Sequence, residues 1–126
     1  VRGETDFNIA IVDATLNLLH FVRQPTAKLT SIQISIDKAF TAAGHRQPTS
    51  AYRNANFLPG GVAYGIHNSN GGRFMLIGGG VPIKVDGVVV GAIGVSTGTP
   101  AQDEEVAMAG VTAVDEWVKK RSGPKL

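Results

Sequence analysis

The residues best placed for chemistry lie where an apolar strand gives way to a helix. Val88 to Val95 is β-branched and apolar, and Ser96-Thr97-Gly98-Thr99 carries it straight into Pro100. Amides at a helix start, with the hydroxyls of Ser96 and Thr97, can hold a carboxylate or phosphate without a cationic side chain. Thr99 suits the N-cap, Pro100 the first helical position, and Gln102 completes a capping box. Asp103, Glu104 and Glu105 already bring negative charge to that first turn, which opposes an added anion. Ligand site and plain cap both stay open at this junction.

The titratable groups are few. His20 alternates with Leu19 and Phe21 in a β-prone run and reads as a half-buried structural residue or as a ligand. His45 follows Gly44 at a helix end, where an imidazole complements the dipole. His67 lies in the Asn- and Gly-rich loop VAYGIHNSNGG with Arg73 shortly after, which suits ligand contact or simple solvation. No two histidines have helical metal-ligand spacing. Asp13 precedes a turn and reads as its cap or as a general base. Asp37 and Lys38 are adjacent in a helix and so do not face each other. The chain has no cysteine, which excludes disulfides, thiolate catalysis and cysteine-ligated metal, and is compatible with a reducing compartment. Its glycines form neither a Walker loop nor a dinucleotide fingerprint.

The elements that must position these groups follow from pattern. At 126 residues and 43% hydrophobic, the chain fits one domain with a real core. Phe7 to Asp13 and Leu18 to Arg23 predict a hairpin, with Phe7, Ile9 and Ile11 facing the core. Leu29, Ile32, Ile36, Ala39, Phe40 and Ala43 predict an amphipathic helix from Leu29 to Ala43, with Ile34 outward and Gly44 as C-cap. Met75 to Ile77, Val81 to Lys84 and Val88 to Val95 predict further strands, the last two joined by a turn at Asp86-Gly87. Pro82 predicts an edge strand. The final helix should bury Val106, Gly110, Ala113, Val114 and Trp117 and stop at Gly123-Pro124. This is an α+β domain with an antiparallel sheet of about five strands packed with helices.

A net charge of +2 and a basic cluster at Lys119, Lys120, Arg121 and Lys125, without interleaved aromatics, argue against nucleic acid as a partner. No apolar run approaches the roughly 18 residues of a membrane helix, so no membrane partner is expected and a soluble, cytoplasmic protein is. The start at Val1 looks trimmed, which leaves a removed secretion signal open.

Three blocks, IAIVDATLNLLHF, SIDKAFTAAGHRQPTS and LIGGGVPIKVDGVVVGAIGVSTGTPAQDEEVA, resemble in order those of the GlcG-like family, also called the haem-degrading domain family. The family includes haem-binding proteins, proteins encoded beside glycolate or diol utilisation enzymes, and the C-terminal domain of PduO-type corrinoid adenosyltransferases. The resemblance implies a profilin-like domain over 1–126, frequent homo-oligomers, and binding or slow oxidative degradation of haem. Two departures stand out: family members usually carry a helix before the first strand, and STGT here replaces the more usual SGGT, placing a side chain at Thr97.

Under that resemblance the candidate cofactor-binding residues are His67, Arg73, Thr41, Lys38 and His20. His67 or His20 would be an axial ligand, Thr41 would touch a tetrapyrrole, and Lys38 with Arg73 would pair its propionates. The leading expectation is an oligomeric haem- or tetrapyrrole-binding protein with weak oxidative haem degradation. One alternative is an enzyme or accessory protein holding a hydroxy-acid, diol or related carboxylate at Ser96, Thr97, Gly98 and Thr99. The other is a structural assembly module.

Overall fold

The computed structural model describes residues 5–121, so the expected stop at Gly123-Pro124 and the basic Lys125 lie outside the described residues. Strands β1 (Asn8–Asp13) and β2 (Leu18–Arg23) lead into helix α1 (Ser31–His45). Four short 3-10 turns follow, then β3 (Gly80–Val85), β4 (Val88–Ser96) and helix α2 (Pro100–Arg121). The strands form one antiparallel sheet in the order β2-β1-β4-β3. Pro82 therefore sits in an edge strand, where its missing amide costs least. Asp86 and Gly87 turn the β3–β4 hairpin with φ of 52° and 79°, the mirror-type turn whose twist suits a hairpin.

The sheet has four strands rather than five. Met75 to Ile77 has β-prone side chains, yet its backbone is satisfied by hydroxyls instead of a neighbouring strand. Thr41 Oγ1 donates to the Arg73 carbonyl and accepts from the Met75 amide, and Thr49 Oγ1 donates to the Ile77 carbonyl. Such side-chain bonds compete directly with a ladder.

Both faces of the sheet are covered. Under α1 lie Ala10, Val12 and Ala92 against Ala39, Ala42 and Ala43. On the other face Val81, Ile83, Ile93 and Val95 meet Ala107, with Val106, Val111 and Val114 beside it. Phe7, Ile9 and Ile11 face this second cluster as expected, partly buried, while the opposite, smaller face of β1 is the more deeply buried one.

The helices bury part of the expected stripes, Ala39 and Ala43 in α1 with Val106 and Val114 packed on the core from α2, and add small and polar residues that the stripes left out. In α1 the buried set includes Ser31, Ser35, Lys38, Ala39 and Ala42, while Leu29 is 69% exposed. Small residues are required there: a Cβ on Gly94 of β4 would collide with Ser35 O and Ala39 N. Arg46, with φ of 61°, takes the left-handed C-cap expected of Gly44. Gly44 instead admits Leu16, whose Cδ1 would lie 3.2 Å from an added Cβ. In α2, Gly110 admits Ile93 as expected of a close helix–strand contact. Ala113 and Trp117 face outward, the Trp117 ring lying under the Arg121 guanidinium at 4.7 Å.

Candidate functional site

The structure gathers most of the sequence candidates at two places, with His67 and His20 on other elements. At the first, the Ser96–Thr99 junction, Lys38 reaches across from α1. Its Nζ donates to the Val95 carbonyl at 2.8 Å and to Asp103 Oδ2 at 2.9 Å. Asp103 Oδ1 accepts the Gly98 amide at 3.0 Å. Both charged side chains are almost completely enclosed, at 1% and 2% exposed. Burial raises the Asp103 carboxyl above its usual value, against the lowering pull of Lys38, and burial likewise lowers the Lys38 ammonium. Desolvation outweighing mutual attraction is common for a buried ion pair. Lys38 is therefore an internal clasp and does not reach out to a propionate, which corrects the role expected of it.

The donors at the helix start are also engaged. Thr99 N donates to Gln102 Oε1, Gln102 N to Thr99 Oγ1, and Gly98 N to Asp103. The capping box is closed on itself, and an anion at Ser96, Thr97, Gly98 and Thr99 would have to displace those side chains.

Thr97 carries the junction's strain. Its φ of 113° belongs to glycine and is a true outlier for a β-branched residue. Its Oγ1 accepts from Asn8 Nδ2 at 3.1 Å and from Lys28 N at 3.3 Å. Strain of about 1–3 kcal/mol thus meets two hydrogen bonds worth about 0.5–1.5 kcal/mol each. Thr97→Gly removes both contributions and is expected to change stability by less than about 1 kcal/mol. Thr97→Val keeps the strain, loses the bonds, and should cost about 1–3 kcal/mol. Denaturant unfolding of the pair checks this; a glycine variant weaker than the valine variant contradicts it.

The second place is the outer end of α1 and the loop it holds. Arg73 Nε bonds Asp37 Oδ1 at 2.9 Å, and its guanidinium lies 3.9 Å over the Phe40 ring. The Arg73 side chain remains 37% exposed. Thr41 is buried with its hydroxyl bonded to Arg73 and Met75, so it supports this loop, and it also lines the cavity beside it. A cavity of about 150 Å³ opens here between Leu16, Phe40, His45, Asn70 and Phe74. Tyr52 packs edge-on to His45, Phe57 and Phe74; burial without a partner pushes its hydroxyl up to about 12.

His67 stands in the 3-10 turn Ile66–Asn68 beside Tyr64, with ring centroids 5.6 Å apart. Its Nδ1 is buried and lacks a hydrogen-bond partner. Around it the loop exposes Val62 at 94%, Leu58 at 59% and Tyr64 at 54%. His20 is exposed on β2, opposite Ile11 and apart from the other candidates. Asp13 caps its turn, accepting from Thr15 N, Thr15 Oγ1 and Asn17 N, and the Thr15 hydroxyl chiefly lowers its carboxyl. Among the described residues no cluster of three or more His, Asp or Glu could hold a metal ion, and no helix is long and apolar enough to cross a membrane.

Sequence reasoning passed over Asp103 as a partner for Lys38, Asp37 as the anchor of Arg73, and Arg53. Each pairing or placement spans distant parts of the chain, and no local spacing marks it.

An antiparallel sheet with helices on both faces, closed by a glycine-rich approach to a strand-to-helix junction, defines a profilin-like α+β class of protein. Residues 2–112 match the family described as "Haem degrading protein HbpS-like", and the chain belongs to that family. An uncharacterized 15.0 kDa protein of the dhaT-dhaS intergenic region of Citrobacter freundii is 38% identical over 107 residues, covering 85% of this chain and 75% of that protein. The crystal structure of Klebsiella pneumoniae protein ORFY superposes with a TM-score of 0.83 at 32% identity, over 86% of this chain and 74% of that one. The crystal structure of a PduOC–haem complex superposes with a TM-score of 0.81 at 30% identity, over 86% and 78%.

Proposed function

We propose that this protein binds haem and does so as a homo-oligomer. The observation that carries the reading is the similarity, over 86% of the chain, to a domain whose structure is a haem complex. The residues present fit such a group. His67 combines an imidazole with an unpartnered buried Nδ1, and an orphaned polar atom of this kind calls for a partner from outside the chain. Exposed Leu58, Val62 and Tyr64 supply apolar surface for a macrocycle, and Arg73 supplies a half-exposed guanidinium for a propionate. His67 would be the axial ligand and His20 the alternative.

These groups lie on a surface, so a second copy of the chain would complete the enclosure. Exposed Leu18, Leu19 and Val22 on β2 and Trp117 on α2 suit burial between copies. The reading places the protein in the cytoplasm, with which a chain lacking cysteine is compatible. Bound haem would itself supply any oxidative chemistry, degradation of haem included, while the protein orients it and limits access of water. The carboxylate alternative at Ser96–Thr99 has less support, since the capping box engages those donors.

Titration with haemin, followed at the Soret band and repeated with iron-free protoporphyrin, tests the reading. A saturable shift with haemin that Arg73→Gln weakens is expected. Equal responses to the two compounds would mean adsorption without iron ligation and would overturn it.

A further inference from the structure

We propose that a pocket at the start of α2 binds the carboxylate of a small organic acid with a short aliphatic body. The cavity is about 480 Å³ and lies between Arg53, Leu76, Ile77, Gly78, Pro100 and Ala101. Its walls are apolar, and Ile77 is 46% exposed. Its cation is Arg53. Arg53 has no ion pair among the described residues. An apolar concavity with one unpaired guanidinium at its edge matches a carboxylate on a hydrocarbon stem.

The run Gly78-Gly79-Gly80 adds an independent observation. Gly79 has φ of 133°, and a Cβ there would lie 2.7 Å from Lys38 Nζ; a Cβ on Gly80 would collide with Lys38 O. Those two glycines are demanded by the packing of α1. Gly78 is not: its φ lies outside the left-handed region, and a Cβ would make ordinary contacts with Ser50 Cβ at 3.4 Å, Pro100 Cβ at 3.5 Å and Ser50 Cα at 3.6 Å. A side chain at Gly78 would be tolerated by the fold and would narrow the pocket. Thr99 of the capping box also lines the cavity, and the Gly98, Thr99 and Gln102 amides beside it are already taken by Asp103, Gln102 and Thr99 respectively.

The proposal is independent of haem binding, and its test uses no haem. Hexanoate is titrated into the 15N-labelled protein, with hexanol and hexylamine as controls, and amide shifts are followed at Gly78 and Ala101. Saturable shifts with hexanoate alone are expected. Arg53→Gln should weaken them about tenfold or more, the scale of a lost charge-assisted contact, and Gly78→Ala should weaken them with thermal unfolding unchanged. Equal shifts with hexanol, or undiminished affinity in Arg53→Gln, would overturn the proposal. If Gly78→Ala misfolds, the Arg53→Gln comparison decides alone, because that side chain is exposed and outside the core.

Discussion

Lys38→Met is expected to cost about 3–5 kcal/mol of stability, because it strands a buried carboxylate. Asp103 would keep only the Gly98 amide, and the Val95 carbonyl would lose its donor. The charges themselves are not the source of that stability, since burial holds Asp103 high and Lys38 low despite their contact. Adding Asp103→Leu to Lys38→Met should therefore recover part of the loss, giving a non-additive cycle. The acid dependence has a definite sign. A carboxyl with a raised folded value binds its proton more tightly in the folded state, so its contribution to stability grows as pH falls toward 3.8. Without Lys38 this effect is larger, and the gap between variant and parent should narrow on acidification. Urea unfolding across that range measures it. A loss under about 1 kcal/mol for Lys38→Met would mean an ammonium in water, and would return Lys38 to the groups open to a propionate.

Gly94→Ala should be at least as damaging. Gly94 pairs with Ala10 on one side and Gly80 on the other, in the middle of the sheet. An added Cβ would collide with Ser35 O, lie 2.5 Å from Ala39 N and 3.0 Å from Ala39 Cβ. The first two obstacles are helix backbone, which cannot swing aside as a side chain can. Moving α1 off β4 would open the cluster of Ala10, Val12, Ala39 and Ala42, so a loss of about 4 kcal/mol or more is expected. Gly78→Ala is the matched control, since its Cβ meets only ordinary contacts. Soluble yield and thermal midpoint separate the two; a Gly94→Ala protein as stable as the control would show that α1 is not seated so closely.

The strand and helix order was legible because local chemistry marks it. Asp86-Gly87, Pro82 and the Thr99-Pro100-Gln102 start all do in the structure what their residue types require. The helix faces were legible in part: Ala39 and Ala43 turn inward as their spacing requires, while close approach to glycine in β4 also selects small residues such as Ser35 over large ones. Ser35 therefore turns inward while Leu29 stays out. Met75 to Ile77 misled for a related reason: its β propensity is real, but Thr41 and Thr49 had first claim on the backbone nearby. At the site, Thr97 was marked as the departure from the family pattern, and its φ of 113° shows what that departure involves. Lys38 misled because a lysine on a helix reads as solvated, and only the fold brings Asp103 to it.

Haem ligation through His67 is the central claim, and a side-by-side haemin titration of the parent with His67→Ala, His20→Ala and His45→Ala tests it most directly. The account predicts a saturable Soret shift that is lost in His67→Ala and kept in the other two. A shift that survives His67→Ala, or a parent that responds no more than an unrelated control protein, would contradict it.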